Sequence, residues 1–183
     1  MTTCCAVFGL VFLVLTNLAI IISFATPYWI EFKAGDYQGL WAHCKANSCT
    51  WVFEDNYKLN TITTATHIDI SSEWWIATQG LMCFGLSLAL FSLLFATIAL
   101  CCDCRGCNTS QVISGLLLMS FLNLAVAAVV FGVCAYKNSQ VIVSFDQHSG
   151  RNFGWSFWLD SAAAGLALFT SIIYVIEGRG KSL

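Results

Sequence analysis

Charge is scarce in this chain, and its gaps are long. No charged residue precedes Glu31, none lies between Glu73 and Asp103, and none lies between Arg105 and Lys137. Each gap exceeds the ~20 apolar residues that a helix needs to cross about 30 Å of hydrocarbon. Of 183 residues, 10% are charged and 58% hydrophobic, and the mean hydropathy is +0.75. A soluble domain carries roughly 25% charge, so this is a membrane protein. The net charge of −2 and the lack of any basic stripe exclude a nucleic-acid partner. No basic stretch opens the first apolar run, which also continues too far for a cleaved signal peptide, so it reads as a span. No Gly-rich phosphate loop, nucleophile elbow or HExxH is present. His43, His67 and His148 are scattered without a paired nucleophile and read as surface residues. Neither enzyme activity nor a cofactor is expected.

The apolar residues fall into four spans, about 6 to 27, 78 to 100, 111 to 135 and 155 to 176. The fourth contains Asp160, near enough to one end to reach the headgroup region. Four spans put both termini on one side. Arg105, Arg179 and Lys181 crowd the short loop 101 to 110 and the C-terminus, which makes that side cytoplasmic. All seven tryptophans fall on the other side. Trp29, Trp74, Trp75, Trp155 and Trp158 are expected to form an interfacial belt there. Residues 28 to 77 and 137 to 154 then face an oxidising exterior, while Cys4, Cys5, Cys101, Cys102, Cys104 and Cys107 stay reduced. The sequon Asn108-Thr109-Ser110 falls inside and should remain unglycosylated.

The long outer segment reads as strands. "YWIEFKA" from Tyr28 alternates with a period of two, and "CTWVF" and "HIDIS" repeat that pattern with β-branched and aromatic residues. Gly35-Asp36 and Asn47-Ser48 supply turns. Four residues separate Cys44 from Cys49, the length of a hairpin loop, so the two cysteines are expected to face each other at disulfide distance. Gly39 allows close backbone approach, and Leu40 and Trp41 offer apolar area where a sheet meets lipid.

Trp29, "GLW" at 39 to 41, Cys44 and Cys49 resemble the W-GLW-C-C signature of the claudin family, in the loop where that family carries it. "CTWVFED" at 49 to 55 is similar to the stretch after the second cysteine in invertebrate claudin-like proteins. "NFGWSFW" at 152 to 158 is similar to the Gly-Trp start of the family's last span. The resemblance covers the whole chain as one claudin-like domain, 1–183. It departs from vertebrate claudins in the short spacing of the cysteines and in having Thr78 and Gln79 where they carry a basic residue. It implies a left-handed four-helix transmembrane bundle with a small extracellular antiparallel β-sheet. It also implies palmitoylation of Cys101, Cys102, Cys104 and Cys107 at the inner leaflet.

The spacing Cys101-x-x-Cys104-x-x-Cys107 suggests zinc, but no histidine or second cysteine pair follows at ligand distance, so no metal is expected. A disulfide-forming redox enzyme is disfavoured because these thiols lie on the reducing side. Gly85 with Ala89, Ala128 with Gly132, and Ser161 with Gly165 have the small-xxx-small spacing of close helix contact. Asn17 and Asn123 are expected to hydrogen-bond to neighbouring helices. The function implied by the resemblance is that of a plasma-membrane protein of cell-cell junctions. It assembles with itself or other claudin-like proteins in cis and trans and builds a paracellular barrier or charge-selective path. The alternative is an auxiliary subunit that binds a channel or receptor in the same membrane.

Overall fold

The computed structural model describes residues 4–32, 35–45, 48–53, 73–101, 109–139 and 151–180. They form four helices, α1 (Cys4–Ala25), α2 (Glu73–Cys101), α3 (Thr109–Ser139) and α4 (Trp155–Gly180). Five strands accompany them: β1 (Ile30–Phe32), β2 (Tyr37–Gln38), β3 (Ala42–Lys45), β4 (Ser48–Trp51) and β5 (Arg151–Phe153). Each helix contains a stretch long and apolar enough to cross a membrane: Val7–Ala25, Glu73–Leu100, Thr109–Lys137 and Trp155–Gly180. A helix closes its own backbone hydrogen bonds, so an uncharged run in lipid has little other choice. With 29 and 31 residues, α2 and α3 rise roughly 43 and 46 Å, more than the ~30 Å hydrocarbon layer. Their surplus turns carry Trp74 and Trp75 on α2 and Phe131 on α3 up to the sheet.

The helices form a ring in which α1 packs on α4, α4 on α3, α3 on α2 and α2 on α1. Hydroxyls join neighbours across the ring. Ser171 Oγ donates to Ser114 O at 3.0 Å, Ser120 Oγ to Gly85 O at 2.8 Å, and Ser23 Oγ to Ser156 O at 2.9 Å. The hydroxyls of Thr26 and Ser156 meet at 2.7 Å. Small residues permit this closeness. A Cβ on Gly85 would lie 3.1 Å from the Leu124 side chain, whereas one on Gly165 would meet nothing within 4 Å.

Three expectations fail. Asn17 and Asn123 do not donate to other helices; their amides donate to Leu13 O at 2.9 Å and Met119 O at 2.7 Å, one turn back on their own helices. That acceptor is always within reach of a helical side chain, whereas a cross-helix partner needs a matching position opposite. Asp160 does not reach the headgroups: it is fully buried, and neither carboxylate oxygen has a partner among the described residues. It belongs to an inward stripe of α4 that runs Ser156, Asp160, Ala163, Ala164, Ala167, Thr170, Ser171 and Tyr174. Helical periodicity therefore turns it into the bundle however near the end it lies. Nor do the tryptophans form one belt. Trp155 and Trp158 are about half exposed, but Trp29 and Trp75 are fully buried.

All strand pairs are antiparallel, in the order β4-β3-β2-β1-β5. Of the expected strands, "YWIEFKA" supplies β1 and "CTWVF" most of β4, while "HIDIS" lies outside the described residues. A turn at Gly35, with φ of 77°, returns the chain from β1 to β2. One pairing had no sequence signal. β5 comes from the segment before the last helix and pairs with β1, with Ile30 opposite Phe153, Glu31 opposite Asn152 and Phe32 opposite Arg151.

The core is densest where sheet and bundle meet, around Phe131. Its ring lies 4.8 Å from Trp29, 5.3 Å from Trp75, 5.8 Å from Trp74 and 5.9 Å from Phe157. Phe131→Ala should destabilise the protein by about 3 kcal/mol or more, because those rings cannot collapse into the space. Ser171→Ala, which removes one hydroxyl and its two contacts to Ser114 O and Ser114 Oγ, should cost only about 1 kcal/mol. Thermal unfolding of both variants in the same detergent checks the order; equal losses would contradict it.

Candidate functional site

Trp29 and the Gly39-Leu40-Trp41 part of the signature lie around the segment Thr26–Trp29, where the chain leaves α1 and enters the sheet, and the two cysteines lie farther out on β3 and β4. Trp29 is fully buried, and its indole Nε1 donates to Ser23 O at 2.9 Å. Its backbone is held on both sides: Trp29 N donates to Gln38 O at 3.1 Å, and Gly154 N donates to Trp29 O at 2.9 Å. The buried ring thus seats the strand on the bundle, while the backbone joins β1 to its two neighbours.

Gly39 is needed because the chain crosses itself here. A Cβ at that position would overlap Pro27 Cα and come within 2.8 Å of Thr26 O. Leu40 is fully buried, so it does not face lipid as its place in the sequence suggested. Its carbonyl accepts from Gln79 Nε2 at 2.7 Å and from Trp75 Nε1 at 3.3 Å. Thr78 and Gln79 stand in the region where the resemblance called for a basic residue, and Gln79 ties α2 to the signature as a neutral donor. Trp41 is partly buried, with Phe24 of α1 at 5.2 Å and a stacked Phe53 at 5.8 Å.

Cys44 and Cys49 are bonded to each other across β3 and β4. Pairing continues past them to Lys45 opposite Ser48, so the hairpin connection is shorter than the four residues between the cysteines suggest. Strand register puts Asn152, Glu31, Tyr37 and the disulfide in one row across the sheet. Residues directly opposite on paired strands share a face, so the row displays a carboxylate, an amide and a phenol together. Glu31 is exposed on it.

The chain belongs to the PMP-22/EMP/MP20/Claudin family. The model of that family matches residues 3–174. No curated protein matches the chain. Four long apolar helices with a five-stranded antiparallel sheet make it a claudin-like tetraspan protein. Of the other residues singled out in the sequence, Cys101 ends α2, and Cys102, Cys104, Cys107, His67 and His148 lie outside the described residues. No group of three or more His, Cys, Asp or Glu side chains comes together among the described residues.

Sequence reading missed two members of the site. Gly154 is the counterpart of Gly39: a Cβ there would overlap Tyr28 O. The family-like "NFGWSFW" stretch contains it, but nothing in that stretch announces that it touches the first outer segment. Phe131 gave no signal, since it sits in a helix where nearly every residue is apolar. Gly154→Ala must push Tyr28 away, and that breaks the bonds from Gly154 N to Trp29 O and from Ser156 N to Tyr28 O. Surface biotinylation should therefore find Gly154→Ala retained inside the cell. Cys44→Ser or Cys49→Ser should reach the surface at reduced level, because closing so short a ring stabilises by only about 2 kcal/mol. Normal surface levels of Gly154→Ala would refute this account of the seat.

Proposed function

We propose that the chain is a junction protein of the claudin type, multi-pass in the plasma membrane with both termini cytoplasmic and the sheet outside the cell. Laterally and head to head, its sheets assemble with copies of itself or with other claudin-like proteins to form a paracellular barrier or a charge-selective path. One observation carries the reading: segments before α2 and before α4 build a single sheet, stapled by a disulfide and rigidly seated on the bundle. Disulfides persist in oxidising compartments, which supports an extracellular sheet. The concentration of Arg105, Arg179 and Lys181 on the opposite side supports the same orientation. In that orientation Cys101, Cys102, Cys104 and Cys107 abut the inner leaflet as palmitoylation sites.

Acidic residues outnumber basic ones in the two outer segments, even after the buried Asp160 is set aside: Glu31, Asp36, Glu54, Asp55, Asp69, Glu73 and Asp146 against Lys33, Lys45, Lys58, Lys137 and Arg151. A path lined by them weakly favours cations. Expressed in an epithelial layer, the protein should collect at borders shared by two expressing cells, and dilution potentials should shift toward cation preference. Even distribution around each cell with co-purification of a channel would favour an auxiliary subunit instead. A shift toward anions would overturn the charge argument.

A further inference from the structure

We propose that the end of β4, Phe53 with Trp51, rests on the interfacial layer of the membrane that the helices span. Phe53 is 79% exposed, the most exposed large apolar side chain among the described residues, and Trp51 is 42% exposed. Among the described residues β4 is the terminal strand of the sheet, paired only with β3. An aromatic edge of this kind left in water invites association, so something covers it.

The occupant follows from what lies beneath. Phe53 stacks on Trp41 with rings 5.8 Å apart and 14° from parallel, and Trp41 lies 5.2 Å from Phe24. Phe24 belongs to the last turn of α1, whose Leu18, Ile21 and Ile22 point away from the bundle. The apolar stretch Val7–Ala25 rises roughly 28 Å, close to the full ~30 Å of hydrocarbon. Phe24 therefore lies at the level of the hydrocarbon boundary, and the stack from Phe24 through Trp41 to Phe53 leads from the edge of the core out into the headgroup region. That is the level aromatic rings prefer. Seated so, the edge of the sheet is tethered to its own membrane and its tilt over the bilayer is fixed. The inference does not depend on the junction reading, since an auxiliary subunit would sit in its bilayer in the same way.

The test uses the full chain in vesicles whose phospholipid carries a photoactivatable diazirine near the glycerol end of one acyl chain. After labelling, the Cys44–Cys49 bond is reduced and alkylated, and trypsin, cutting after Lys45 and Lys58, then isolates residues 46–58 for mass mapping. Lipid adducts are expected on Trp51 or Phe53, together with adducts on α1 and α2. Phe53→Ser should reduce labelling of the 46–58 peptide toward the unirradiated background while helix adducts persist, and that persistence shows the variant still inserted. Labelled helices with an unlabelled 46–58 peptide would overturn the proposal. So would equal labelling of the wild type and Phe53→Ser. A cross-link between the 46–58 peptides of two chains, in place of lipid, would assign the edge to a second copy and also overturn it.

Discussion

The sheet depends on a short length of backbone that has glycine on both sides. Thr26–Trp29 leaves α1, with Gly39 pressed against Pro27 and Gly154 against Tyr28, and a side chain at either glycine would overlap backbone atoms. Because both neighbours can come that close, Trp29 drops its ring among Phe131, Phe157 and the end of α1, while its N–H and C=O still reach Gln38 and Gly154. A sheet whose strands run two to four residues has almost no core of its own. It borrows the core of the bundle through Trp29, Ile30, Phe32 and Leu40, all buried in one cluster.

That arrangement accounts for the signature residue by residue. The tryptophan is a plug, not a lipid-facing anchor, and its indole N–H is satisfied by Ser23 O. Glycine is demanded by a chain crossing, and leucine supplies a buried side chain together with a carbonyl that receives two donors from α2. The cysteines come last in importance. They close the distal hairpin, away from the seat, and add to a structure whose position is already determined. The structural consequence is that the row of Asn152, Glu31 and Tyr37 is held at an orientation set by the bundle.

The four helices were legible because long uncharged runs have one solution in lipid, and the signature was legible because its residue types are unusual in a polar segment. What stayed hidden was pairing at a distance. β5 has three residues and β2 two, too few for a period of two to register, and the register of β5 against β1 depends on Gly154, far along the chain. Hydropathy also failed to separate tryptophans that plug a core, Trp29 and Trp75, from those that stay exposed, Trp155 and Trp158, because an amphipathic ring suits both places. Asp160 was misplaced for a related reason: counting residues from a helix end gives depth, while the helical period gives direction, and the inward stripe of α4 decides the matter.

The most direct test of the seat is backbone hydrogen exchange in lipid nanodiscs, followed strand by strand under two separate perturbations. Reduction of the Cys44–Cys49 bond should loosen β4 and the end of β3 while β1, β2 and β5 keep their protection. Trp29→Ala, with the disulfide intact, should strip protection from β1, β2 and β5 together and leave the middle of α2 and α3 slow. Loss of β1 and β5 protection on reduction, with both strands still slow in Trp29→Ala, would mean that the staple and not the seat holds the sheet.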